Sequence, residues 1–162
     1  MEVYLLRHGI AEDDNPSGRD SDRRLTDEGR QKLRSVLQTA AGAGVSPDLI
    51  VSSPYIRARQ TAEIARQVLG YKEDLQFSEA LVPEGEPRNV WNEIRTIYRH
   101  ADSLVLASHE PLMSRCAGYL LGSPRLYVDF KKGAIMRIDI ENFGVEPYGA
   151  LRWMLVPKLA GA

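Results

Sequence analysis

Three short apolar runs, each ending in a polar cluster, constrain this chain more than any other feature. Val3-Tyr4-Leu5-Leu6 runs into Arg7-His8-Gly9, Leu49-Ile50-Val51 into Ser52-Ser53-Pro54, and Leu104-Val105-Leu106-Ala107 into Ser108-His109. Apolar runs of this length without strict alternation are the pattern of strands buried on both faces, as in parallel sheets. Stretches with helical spacing lie between them. Thr26-Asp27-Glu28-Gly29 opens the first, with Thr26 as N-cap and two acids in the first turn. Its apolar face is Leu33, Val36, Leu37 and Ala40, and Gly42 and Gly44 end it. In the second, Ser53 is the expected cap and Pro54 the first helical residue, and Arg57 falls in the first turn. Pro87 starts a third helix that turns Val90, Trp91, Ile94, Ile97 and Tyr98 inward, and Pro111 starts a fourth that ends near Gly122.

A short strand around Leu75-Gln76-Phe77 and two alternating segments, Ala134 to Ile140 and Ala150 to Val156, complete the set. The last two read as a hairpin on a sheet edge. The βαβαβαβ order predicts a single α/β domain over residues 1–162: a three-layer sandwich with a mostly parallel central sheet and helices on both faces. Residues 10–24, rich in Asp, Arg, Asn, Pro and Gly, are a long loop, equally readable as functional or as a surface excursion. Leu159 to Ala162 read as a frayed end.

Ligands of open α/β sheets bind outside the carboxyl ends of the strands. If the strands are parallel, the three polar clusters converge there. The chain has three histidines, and two of them, His8 and His109, directly follow buried-strand patterns. Either one alone is equally a loop or satisfied core histidine; the pair is what suggests chemistry. His100, at a helix end beside Arg99, is better explained by the favourable placing of a cation at a helix C-terminus. Zinc would need three or four ligands. Glu12, Asp13 and Asp14 could add oxygens to the pair, but Arg7 next to His8 would repel a cation. An anion suits the cluster better. Arg7 and Arg57 are bidentate donors for phosphate oxygens, and Arg57 lies where free helix N–H groups attract negative charge.

Composition removes other classes. Net charge is −1, with 43% hydrophobic and 27% charged residues, so no basic excess points to nucleic acid. Sixteen arginines and five lysines supply the positive charge. The single Cys116 excludes an internal disulfide, and its apolar helical setting reads as a buried, inert thiol. The N-terminus lacks signal-peptide regions, and no run approaches the length of a membrane span, which makes a soluble cytoplasmic protein the expectation.

Leu6-Arg7-His8-Gly9 resembles the RHG motif of the histidine phosphatase superfamily (phosphoglycerate mutase-like proteins). The stretch from Val51 to Ala62, Val-Ser-Ser-Pro-Tyr-Ile-Arg-Ala-Arg-Gln-Thr-Ala, resembles its S-P-x-x-R-A-x-Q-T signature, and Ala107-Ser108-His109 its third. Arg24-Leu25-Thr26-Asp27-Glu28-Gly29 is similar to its P-L-T-x-x-G, with Arg24 in place of proline. The short length and the sequence around Ser108-His109-Glu110-Pro111-Leu112 are most similar to the branch of small phosphohistidine phosphatases. The resemblance implies a phosphoglycerate mutase-like fold and a phosphatase whose His8 attacks phosphorus to form a covalent phosphohistidine. Arg7, Arg57 and a cationic His109 would surround the phosphoryl oxygens, and no metal or other cofactor is implied. Gly9 would let the backbone come close to the phosphate. Glu79, in Phe77-Ser78-Glu79-Ala80-Leu81, falls in the segment where one branch carries its general acid, with Glu84 and Glu86 as rivals.

The implied substrate is phosphohistidine on a protein, such as a histidine phosphotransfer domain, because the segment from Gly70 to Ser103 is too short to lid a small-molecule site. A phosphomonoesterase for sugar phosphates or nucleotides would share the same residues. A non-catalytic phosphate-binding module would need the arginines but not His8.

Overall fold

The computed structural model describes residues 1–162. Each apolar run forms a strand: β1 spans Glu2–Arg7, β2 Leu49–Ser52 and β4 Ser103–Ser108, with the short β3 at Gln76–Phe77. Two further strands, β5 (Ile135–Asp139) and β6 (Ala150–Leu155), form the predicted hairpin. The sheet order is β3-β2-β4-β1-β5-β6. The first four strands are mutually parallel, while β5 runs antiparallel to β1 and β6 antiparallel to β5.

Four helices cover the sheet: α1 (Asp27–Gly42), α2 (Ile56–Val68), α3 (Pro87–Thr96) and α4 (Leu112–Leu120). Successive side chains of a strand point to opposite faces. Tyr4, Leu6, Ile50, Val105 and Ala107 therefore pack with Leu33, Val36, Leu37, Ala62 and Ala65 of α1 and α2. Val3, Leu5, Val51, Leu104 and Leu106 pack on the other face with Val90, Trp91, Ile94, Met113 and Cys116 of α3 and α4. Each large side chain so buried contributes roughly 1.5–3 kcal/mol, which is why the central strands tolerate polar residues only at their ends. The thiol of Cys116 is 1% exposed, and burial pushes its pKa up, as expected of an inert core cysteine.

Thr26 caps α1 as predicted, its hydroxyl accepting the Gly29 N–H at 2.9 Å. Four details differ from expectation. Pro54 lies ahead of α2, which starts at Ile56 with Tyr55 at the N-cap; Ser53 is turned toward His109 instead of capping the helix. Ile97 is 56% exposed because α3 ends at Thr96, and the Ile97 and Tyr98 N–H groups both close on the Glu93 carbonyl, rotating Ile97 outward and Tyr98 inward. The C-terminus is not frayed. A 3-10 turn at Pro157–Ala160 packs against α1, with Ala160 on the hydrophobic cluster of that face. Finally, the bare face of Gly9 meets α1: a side chain there would lie 3.1 Å from the Gly29 carbonyl oxygen and 3.4 Å from Leu25. A side chain on Gly29 would in turn run into the backbone of Ile10. The two glycines thus bring the strand end against the start of α1, and the need for Gly9 is a backbone-to-backbone approach within the fold.

Candidate active site

Register brings the polar clusters together. Arg7 of β1 lies opposite Ser108 of β4, and Ser52 of β2 opposite Ala107. The ladder continues one residue further, with His8 N–H donating to the Ser108 carbonyl and Ser53 N–H to the Ala107 carbonyl, both at 2.9 Å. His8, Ser53 and His109 consequently emerge side by side at the carboxyl edge. The two imidazole centroids are 5.1 Å apart.

His8 is 6% exposed. Its Nδ1 lies 2.7 Å from its neighbour's carbonyl, that of Gly9, and its Nε2 lies 3.2 Å from the Arg57 Nε. A carbonyl can only accept and a guanidinium N–H can only donate. Nδ1 therefore carries the proton and Nε2 presents its lone pair. Burial, then the charges of Arg57, Arg7 and Lys132, lowers the His8 pKa to about 3 against the opposing Gly9 hydrogen bond. The imidazole is neutral at physiological pH, with its nucleophilic nitrogen directed at a cation.

Arg57 is 4% exposed, and the neighbouring ring of Tyr55 lies 5.2 Å from its guanidinium carbon. Asp20 holds its fork. One terminal nitrogen donates to the Asp20 carbonyl at 2.7 Å and the other to the Asp20 carboxylate at 3.0 Å. This contact comes from the 10–24 loop, which is ordered around a 3-10 turn at Asp20–Asp22. Burial raises the Asp20 pKa, but hydrogen bonds and charge from Arg23 and Arg57 outweigh it, so Asp20 lies below the usual carboxyl value and is ionised.

His109 is 1% exposed, and its Nε2 is 2.8 Å from Ser53 Oγ. Ser53 Oγ already accepts the Tyr55 N–H at 3.3 Å. The Ser53 hydroxyl has one proton to give, and in the tautomer where that proton goes to His109 Nε2 the imidazole proton is on Nδ1. His109 Nδ1 is buried without a protein partner, and in that tautomer it is a donor free for a ligand. Burial, then the neighbouring His8, Arg57 and Arg7, lowers the His109 pKa to about 2, with Asp20 opposing. Burial thus keeps the resting His109 imidazole neutral, a state the sequence leaves open, and the fixed charge of the site comes from the arginines. Arg7 completes the group, its side chain donating to the Phe130 carbonyl at 2.6 Å while its Nε has no partner. The arrangement groups two arginines with two neutral imidazoles at the carboxyl edge of the sheet, and the Arg7 Nε and His109 Nδ1 are both left without a protein partner.

Residues 3–82 match the family model of the histidine phosphatase superfamily, branch 1. The chain belongs to the histidine phosphatase superfamily. It is 34% identical over 139 residues to an uncharacterized protein of Picosynechococcus sp., covering 84% of this chain and 83% of that one. It is 28% identical over 164 aligned positions to the phosphohistidine phosphatase SixA of Escherichia coli, covering 97% and 94% of the two chains. The structure of the protein histidine phosphatase SixA complexed with tungstate superposes with a TM-score of 0.86 at 25% identity, covering 98% of each chain. The α/β fold predicted from sequence, with its central sheet between two helical layers, is the fold of this family.

Within that family framework, Arg7, His8, Arg57 and His109 meet as the motifs suggested, and Glu79 does not join them. Its side chain is exposed at the start of a 3-10 turn and shares no hydrogen bond with the four. Among its rivals, Glu84 is exposed and Glu86 is engaged with Arg115 at 2.6 Å. No three His, Cys, Asp or Glu side chains are grouped to hold a metal ion, and no helix is long and apolar enough to cross a membrane. His100 is exposed and lies past the end of α3, its Nδ1 3.1 Å from the carbonyl of the C-cap residue Ile97. Asp20 leaves no signal in the sequence, because a loop aspartate among several has no periodicity to mark it. The capping pattern at Ser53 likewise conceals its hydrogen bond to His109.

The two neutral imidazoles make stability sensitive to acid. The unfolded chain protonates its histidines near 6.5, whereas the native site resists protonation until about 3 for His8 and about 2 for His109. Their contribution is full above 6.5 and is lost as pH falls toward those values, at up to ~1.4 kcal/mol per pH unit for each group. Urea unfolding at pH 7 and pH 5 should show a smaller acid loss for His109→Gln than for the wild type. Equal losses would contradict a neutral His109.

Proposed function

We propose that this member of a phosphatase family removes phosphate from phosphohistidine on a protein, such as a histidine phosphotransfer domain, through a covalent intermediate on His8. The observation that carries this is the neutral His8 with its Nε2 lone pair at Arg57, in a cluster whose only hydrogen-bonded carboxylate, Asp20, is ionised. In the proposed reaction Nε2 attacks phosphorus as the bond to the leaving group breaks. Arg7, Arg57 and the free Nδ1–H of His109 contact the phosphoryl oxygens where charge accumulates. Water then attacks the phosphohistidine, releasing phosphate and restoring neutral His8. The two arginines supply the charge that a metal would otherwise provide, so we propose a metal-independent hydrolase.

The leaving group separates the alternatives. An alkoxide needs a proton as it departs, whereas a phosphohistidine that carries a proton on its other ring nitrogen releases a neutral imidazole. Asp20, held ionised, has no proton to give, and Glu79 stands exposed outside the hydrogen-bonded cluster. This favours phosphohistidine over phosphate esters. The segment from Gly70 to Ser103 holds β3, a 3-10 turn and α3 with only short connections between them, which supports a site open to a protein surface. We place the protein with such phosphotransfer partners in the cytoplasm. The test compares turnover of a phosphohistidine-bearing domain with that of sugar phosphates and nucleotides. Higher kcat/KM on the phosphoprotein is expected, with Glu79→Ala retaining it. Faster ester turnover that Glu79→Ala abolishes would instead make this a phosphomonoesterase with Glu79 as its general acid.

A further inference from the structure

Four of the chain's five lysines lie on one groove beside the site. Lys32, Lys131, Lys132 and Lys158, with Arg7, line a cavity of about 670 Å³ in which Asp129 is the only carboxylate side chain. The four come from three separate parts of the chain, α1, the segment before β5 and the C-terminal turn, so local sequence does not explain their meeting. The position of the groove is fixed by backbone. The Phe130 carbonyl accepts from Arg7, and the Gly133 N–H donates to the His8 carbonyl at 2.9 Å. Phe130 is itself 1% exposed and anchors the segment, leaving Lys131 and Lys132 projecting into solvent next to the nucleophile.

Two of these lysines have a local partner: Lys32 pairs with Glu28 at 2.8 Å and Lys131 with Asp129 at 2.7 Å. Lys132 and Lys158 have no carboxylate within ion-pair distance. Such clustering of like charge costs self-repulsion unless an anion offsets it. The overall charge of −1 shows that the groove is a local concentration and not part of a basic protein.

We propose that this groove is the docking surface for an acidic segment flanking the phosphorylated histidine of a partner protein, an inference that rests on the phosphohistidine substrate proposed above. Arg7 is shared between the groove and the phosphate cradle, so a chain whose phosphate sits on His8 can run its neighbouring carboxylates along the lysines. Charge complementarity of this kind raises the rate of productive encounter and is screened by salt.

The test uses two synthetic peptides that carry one phosphohistidine, flanked in one by glutamates and in the other by glutamines. The wild type should show about tenfold higher kcat/KM on the acidic peptide at low ionic strength, with the advantage shrinking as salt rises. The double variant Lys131→Ala/Lys158→Ala should lose most of that advantage. Equal turnover of the two peptides by the wild type, or an advantage that survives in the variant, overturns the docking surface while leaving the phosphohistidine substrate in place. A small bisphosphate that gains as much over its monophosphate also overturns it and reassigns the groove to a second phosphate. Failure to hydrolyse either peptide overturns the substrate assignment, and the docking inference with it.

Discussion

Replacing His8 with alanine is expected to lower kcat/KM on any phosphorylated substrate by on the order of 10⁴-fold or more, the scale seen when a nucleophile is removed from an otherwise intact site. The fold should survive. His8 makes only two side-chain hydrogen bonds, one of them to the carbonyl of its own neighbour, and the strand ladder around it is formed by backbone groups. The variant should keep its affinity for a phosphate analogue, because Arg7, Arg57 and His109 remain. Retained binding with lost turnover separates a nucleophile from a residue that merely shapes the pocket. A loss smaller than tenfold in a folded His8→Ala protein would mean that phosphoryl transfer does not pass through this residue, and weakened binding without loss of turnover would mark it as a binding contact.

Arg57→Ala should have the next largest effect, about 10³-fold in kcat/KM, since a buried, preorganised guanidinium at a transferring phosphoryl group contributes on this scale. The guanidinium has three tasks in this structure. Its Nε directs the His8 lone pair, its terminal nitrogens tie down Asp20, and its charge adds to burial in lowering the His8 pKa. Lysine keeps only the charge, because a single ammonium cannot reproduce the planar fork. Arg57→Lys is therefore expected to recover no more than a tenth of the lost activity. Full recovery by lysine would show that charge alone matters and that the contacts with His8 and Asp20 are incidental. Steady-state kinetics on the two variants, with circular dichroism to confirm folding, provide the comparison.

The parts of this site legible in the sequence were those governed by regular structure. Buried strands leave a strong pattern because both of their faces must be apolar, and a strand end is the one place where His8, Ser53 or His109 can emerge without breaking that pattern. Arg57 was legible because helix spacing placed it in the first turn of α2. Tertiary detail was not. Asp20 reaches Arg57 across 37 positions of sequence, from a loop with no periodicity to read. The neutral state of His109 follows from burial among His8, Arg57 and Arg7, which no local motif encodes. The lysine groove is assembled from residues as distant as Lys32 and Lys158, and only the closing of the sheet brings them together. The sequence points to a ligand at Gly9, whereas the group that approaches it is the backbone at the start of α1.

The central claim is that His8 Nε2 carries phosphate during turnover. Rapid quenching of the wild-type protein under alkaline conditions with a phosphohistidine substrate labelled at phosphorus, followed by peptide mapping, measures this directly. The label is expected on the peptide containing His8, bonded to Nε2, acid-labile and absent from His8→Ala. Turnover with no label on the protein, or label on any residue other than His8, would contradict it.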